Sequence, residues 1–173
     1  GSYTYDPNGA FNYLASGQSA TDSFTYTATD ALGTRSNTAT VRITISHPVL
    51  TAVDDSNTIS SRGWSDQNVL ANDLDPTGGG LTVTTVNGSA ANVGATIWLA
   101  SGASVTVNAN GILFYNPNGA FNYLDGTGGI ATDSFTYTMT DSLGEVSNTA
   151  TVTIYIYDYF SYGYDVGDPN STY

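Results

Sequence analysis

The sequence predicts an all-β chain of Greek-key β-sandwich repeats, and three observations lead there. The residue usage is that of strands and turns: fourteen of the fifteen acids are Asp, and Glu145 is the single Glu. Helices favour Glu, Gln, Lys and Ala, which lose little side-chain freedom there, whereas Thr, Val, Tyr, Asn, Gly and Asp suit strands and the turns between them. The chain also repeats itself, in blocks of identical sequence. Short alternating segments are separated by Gly, Asn and Asp clusters, with no helical period between them.

The repeat sets the organisation. PNGAFNYL stands at 7–14 and 117–124, ATDSFTYT at 20–27 and 131–138, TD-x-LG at 29–33 and 140–144, and SNTATV at 36–41 and 147–152. The offset is 110 residues before Leu124 and 111 after it, a unit of immunoglobulin-sandwich size. Gly1 aligns with Gly111. Residues 1–46 are therefore expected to be the C-terminal part of a first sandwich, three strands with its upstream half absent, and 47–157 a linker followed by one complete sandwich.

Within the complete copy, 81–87 (LTVTTVN), 104–108 (SVTVN), 112–115 (ILFY), 134–140 (SFTYTMT) and 146–157 carry strand period. In SFTYTMT, Phe135 and Tyr137 share one face and Thr136 and Thr138 the other. Asn-Gly at 87–88 and 110–111, Pro-Asn-Gly at 117–119, Asp-Gly at 125–126 and Gly-Gly-Gly at 78–80 fill the gaps. Residues 158–173 form a Tyr-rich tail. Tyr155, Tyr157 and Tyr159 alternate on one face with Ile154 and Ile156 on the other, and Phe160, Tyr162 and Tyr164 continue the aromatic segment. Such a segment suits a sheet edge. It is a candidate assembly strand, donated to the open half-sandwich of the next copy in a head-to-tail filament. The alternative is that the chain is a piece of a longer array whose neighbouring repeats cover the half-domain.

Charge and composition exclude several functions. The formal net charge is −12, with three Arg and no Lys, which disfavours nucleic acid and acidic membrane surfaces. No apolar run is long enough for membrane insertion, and no signal segment is visible. Without Cys there are no disulfides, thiolate nucleophiles or Cys-type metal centres. His47, next to Pro48, reads as an exposed linker residue. No nucleophile elbow is present, and the Asp residues sit on repeat-related turns, so no catalytic residues are assigned and no enzyme is expected.

Four segments carry a resemblance. NVLANDLD at 68–75, AVDDS at 52–56, the block GILFYNPNGAFNYL at 111–124 and the block ATDSFTYT…SNTATVTI at 131–154 resemble the tandem bacterial cadherin-like repeats, related to the VCBS-type repeats of large secreted adhesins and surface proteins. The resemblance covers about residues 1–46 and 50–157. It implies an immunoglobulin/cadherin-like sandwich used in extracellular arrays, for adhesion, biofilm matrix or a surface fibre, and calcium binding. The sequence departs from the family at two places. The Asp-rich loop has two acids fewer, as Asn72-Asp73-Leu74-Asp75-Pro76, and the linker Ser46-His47-Pro48-Val49-Leu50 offers no carboxylate.

Calcium takes six to eight hard oxygens. Asp54 and Asp55 open the complete domain, Asp73 and Asp75 share a loop, and Asp133 and Asp141 bracket a later strand. The loops at one end of a sandwich cluster, so these six acids are the candidate metal ligands; equally, they are turn residues closing Asx-turns. Trp98, in ATIWLA, is expected in the core. Trp64, in the polar stretch SRGWSD, is expected to be exposed and is a candidate platform for a sugar ring, which keeps a carbohydrate-binding module, with glycans as partners, as the alternative function. Asn87 and Asn170 open N-glycosylation acceptor patterns.

Overall fold

The computed structural model describes residues 1–159. The chain divides into two compact units, Gly1–Val49 and Leu50–Tyr173, and both are built from strands.

The first unit is a two-stranded sheet. β1 (Ser19–Tyr26) pairs antiparallel with β2 (Ala39–Ser46), from Ser19 opposite Ser46 to Tyr26 opposite Ala39. The connection holds the TD-x-LG turn, in which the Asp30 carboxylate accepts the backbone N–H groups of Leu32 and Thr34 at 2.9 and 2.8 Å. Upstream, Asn8 and Gly9 turn the chain at φ of 45° and 77°, and Leu14 is buried. The expected third strand is not formed. Residues 2–6 align with a run that is strand in the second unit, but there it pairs with two neighbours, and residues 1–49 contain no counterpart of either.

The second unit is the complete sandwich. Its strands are β3 (Asp55–Ser60), β4 (Ser65–Asn68), β5 (Thr82–Val86), β6 (Thr96–Trp98), β7 (Ser104–Val107), β8 (Ile112–Asn116), β9 (Ile130–Thr140) and β10 (Ala150–Tyr157). They form two four-stranded sheets, ordered β3-β10-β9-β5 and β4-β8-β7-β6. All pairings are antiparallel except β10 with β3, which is parallel. The core lies between the sheets. Phe135, Tyr137, Met139, Val152, Ile154 and Ile156 come from one side and Val105, Val107, Leu113 and Tyr115 from the other. Each such side chain, fully buried, contributes about 1.5–3 kcal/mol.

Strict alternation would send Val83 and Val86 to opposite faces. The register shifts between Val83 and Thr85, and this bulge lets both valines be buried. β9 begins four residues earlier than its sequence pattern and β10 begins later than residue 146, because residues 141–149 are spent on the TD-x-LG turn and the approach to the strand. Trp98 is a correction: it is 68% exposed. Ile97 pairs with Val105 and packs against the core, so alternation turns Trp98 outward.

Tyr155 and Tyr157 lie in β10, which is hydrogen-bonded on both sides, so their backbone is already committed. The Arg62 guanidinium sits 5.5 Å from the ring centre of Tyr159. Phe160, Tyr162, Tyr164 and Asn170 lie outside the described residues.

Candidate functional site

The AVDDS and NVLANDLD segments meet at one end of the sandwich. Thr51 and Leu74 exchange both backbone hydrogen bonds, at 3.0 and 2.9 Å. This pairing locks the entry segment against the acidic loop and fixes Asp54, Asp55 and Asp73 close together. Val53 N–H donates to Asp73 Oδ1 at 2.7 Å, Asn72 Nδ2 donates to the Asp54 carbonyl at 3.2 Å, and Thr151 N–H donates to Asp54 Oδ1 at 2.8 Å. Asn148 clasps the backbone of Ala52 from the other side, accepting its N–H at 2.9 Å and donating to its carbonyl at 2.8 Å.

Beneath them stands Tyr137, buried on β9. Its hydroxyl lies 2.8 Å from the Val69 carbonyl, 3.0 Å from each Asp73 oxygen and 3.4 Å from the Val53 carbonyl. A phenol has one proton to donate, so four acceptors share one donor. Asp55 stands beside the same hydroxyl, and its Oδ2 is buried with no hydrogen bond among the described residues. Burial, and then the charge of Asp73, pushes the Asp55 carboxyl up to about 6. Burial raises Asp73 as well. Burial and the two carboxylates raise the Tyr137 phenol far above its ordinary range, so it stays a donor. A shallow pocket of about 460 Å³ opens alongside, lined by Asp54, Asp55, Ser56, Gln67, Asn68 and Asn72.

Of the other candidate acids, Asp75 and Asp141 stand at the same end but are engaged in turns, and Asp133 lies away from it. Asp75 accepts Thr77 Oγ1 at 2.6 Å, Thr77 N–H at 2.8 Å and the N–H groups of Gly78 and Gly79 at 3.1 and 2.7 Å. The Thr77 hydroxyl bond, with these amides behind it, lowers its carboxyl. Asp141 is buried and accepts Leu143 and Glu145 N–H, both at 2.9 Å, with Thr77 Oγ1 at 3.2 Å. Both are turn residues of the Asx kind. Asp133 shares the inward face of β9 but lies four residues before Tyr137, about 13 Å away at strand rise. It accepts Tyr115 Oη at 2.8 Å and Ser101 Oγ at 2.6 Å. Among the described residues no three acidic or histidine side chains converge on one point.

Asn87 sits at φ 47° in an Asn-Gly turn, and its Oδ1 accepts Thr136 N–H at 2.9 Å. Trp64 is 68% exposed. Reading the sequence alone missed the role of Tyr137 as the hub of the acidic end, and the Tyr115–Asp133 pair. The repeat carried a signal for the pair: Tyr5 and Asp22 hold the aligned positions, and Tyr5 Oη donates to Asp22 Oδ2 at 2.9 Å.

Two family models match the chain. The one described as a bacterial cadherin-like domain matches residues 46–158, and the one described as a bacterial Ig domain matches residues 1–44. Domains of these kinds are typically structural and non-enzymatic, and usually extracellular or surface-associated. No helix among the described residues is long and apolar enough to cross a membrane. A search of curated proteins finds no match.

Proposed function

Because the chain belongs to the bacterial cadherin-like domain family, we propose that it serves as a non-catalytic structural and adhesion repeat outside the cell, stabilised by calcium and able to join copies of itself head-to-tail. The observation that carries this reading is the uncovered face of β1 and β2. Phe24 is 37% exposed and Tyr26 52%, while their counterparts Phe135 and Tyr137 are 2% and 0% exposed beneath the β4-β8-β7-β6 sheet. A neighbouring repeat supplies such cover in an array, and a second copy supplies it by lending a strand. A head-to-tail contact of that kind propagates into a fibre. The lent segment is 159–173, whose alternating tyrosines suit a sheet edge; Tyr155 and Tyr157 stay in β10. Sedimentation velocity over a range of concentrations tests it. Assembly is expected to grow with concentration and to disappear when residues 159–173 are deleted. A monomer at every concentration, or assembly unchanged by the deletion, overturns the head-to-tail reading.

Calcium belongs at the acidic end. The carboxylates of Asp55 and Asp73, the carbonyls of Val53 and Val69 and the side-chain oxygen of Asn72 are the hard donors that would hold it. The surplus of acceptors around one phenolic proton and the buried, unpaired Oδ2 of Asp55 both support a cation there. At about 100 times its dissociation constant the ion adds about 2.7 kcal/mol, a rise in Tm of roughly 10 °C for a unit of this size. The rise is expected to vanish in D55N/D73N and to persist in Asp133→Asn. Equal melting in calcium and in chelator rules calcium out.

A further inference from the structure

We propose that the outward face of the β4-β8-β7-β6 sheet binds a neutral polysaccharide, with Trp64 and Trp98 as the two stacking platforms and the amides of Asn116 and Asn118 between them. This goes beyond the structural role above and stands without it. The register places the row. Trp98 lies opposite Ser104, Ser104 lies opposite Asn116, and the pairing of Ser65 with Tyr115 sets Trp64 opposite Asn116. Val105, Tyr115 and Ser65, each next in sequence to a member of the row, are buried, so Trp98, Ser104, Asn116 and Trp64 face outward together. Trp98 ends the edge strand β6 and Trp64 directly precedes the opposite edge strand β4, three strand spacings or about 14–15 Å away.

The chemistry of the row fits a sugar chain. A pyranose ring has an apolar face of axial C–H bonds, which stacks on an indole, and a rim of hydroxyls, which needs amides and hydroxyls. Trp64 and Trp98 are each 68% exposed, unusual for the side chain with the most apolar surface to bury. The polar groups between them are held in advance. Asn118 Nδ2 donates to Ser104 Oγ at 2.7 Å, and Asn118 N–H donates to Asn116 Oδ1 at 2.9 Å. Fixing these groups before binding lowers the entropic cost of taking up a ligand. An amide-lined pocket of about 210 Å³ opens beside them, bounded by Arg62, Asn116, Asn118 and Asn122.

Charge selects the class of sugar. The row itself carries no charge, and the next outward row, Thr96, Thr106, Phe114 and Asp66, adds one acid. Arg62 beside the pocket is already paired with Asp125, and the chain carries a net charge of −12, so a neutral polymer is the fitting occupant. A protein partner fits less well, because the exposed indoles are separated by Ser and Asn rather than joined into an apolar patch.

Native affinity electrophoresis of the full chain through gels containing hydroxyethylcellulose, β-1,3-glucan, xylan or mannan, with alginate as the acidic comparison, tests the proposal. At least one neutral polymer is expected to retard the chain, and alginate is not. Trp64→Ala and Trp98→Ala are each expected to weaken the apparent affinity tenfold or more. Leu143→Ala, exposed on a distant turn, is expected to bind as the parent does. Melting curves check that each variant is folded. The chain has two Trp in all, so the bound polymer is also expected to shield its fluorescence from acrylamide. Three outcomes overturn the proposal: no retardation by any neutral polymer, retention of binding by W64A/W98A, or an oligomer of the sugar-free chain that W64A/W98A dissociates, which would make this face a contact between copies.

Discussion

Phe24 and Phe135 sit at the same place in the same eight residues, ATDSFTYT, yet the first is exposed and the second is in the core. Tyr26 and Tyr137 differ in the same way. The hairpin itself does not distinguish them: β1 pairs with β2 as β9 pairs with β10, antiparallel, and the Tyr–Asp hydrogen bond is made in both units, although β9 and β10 have further neighbours in β5 and β3. The pattern and turns that make the hairpin are thus local. Burial is not, because Phe135 lies in a core between two sheets, and the second sheet, β4-β8-β7-β6, has no counterpart in the first unit. Two identical segments therefore differ in energy by what faces them.

Hydrogen exchange gives the widest separation of the two regions. Amides of β9 and β10 are expected to exchange only on global opening, whereas an isolated two-stranded sheet is marginal in water. A difference of at least about a hundredfold is expected, since the two opening free energies differ by several kcal/mol. Equal protection would mean that the β1–β2 face is covered in solution. Truncation comes next. Phe135→Ala is expected to cost about 3–5 kcal/mol in urea unfolding, through lost burial and a cavity. Phe24→Ala is expected to cost at most about 1 kcal/mol. A comparable loss at both would show that Phe24 has found a core.

The smallest effect is a pH slope special to the second unit, where the tyrosine on this face meets two acids. The Asp55 carboxyl is raised from 3.8 to about 6 in the fold. It therefore binds its proton more tightly folded than unfolded, and adds stability that is present below about pH 4 and lost as the pH rises through about 6. The stability difference between the parent and Asp55→Asn is expected to fall across that window and to be flat above it. Urea unfolding followed by Trp fluorescence checks this, and a difference that rises with pH would reverse the assignment.

The legible parts of the molecule are those with short-range causes. Asn-Gly at 8–9, 87–88 and 118–119 turns the chain with positive φ as the residue types demand. The alternating runs at 104–107 and 112–116 become strands. Trp98 misled, because ATIWLA is apolar on both sides and only the pairing of Ile97 with Val105 decides which side is inward. The acids misled in the same way. Six Asp in loop-like sequence look alike, but Thr77 and the amides of Gly78 and Gly79 occupy Asp75, turn amides occupy Asp141, Tyr115 occupies Asp133, and only Asp55 and Asp73 stand beside the Tyr137 hydroxyl.

By itself the sequence determined the β class, the repeat and its hairpins, because alternation and turn chemistry act over a few residues. Tertiary structure alone decided that one copy of ATDSFTYT is core and the other surface, that Tyr137 serves two carboxylates, and that Trp98 looks outward. The reason is the same in each case: these are properties of what lies opposite a side chain, and in a sandwich the opposite side is supplied by strands far away in the chain.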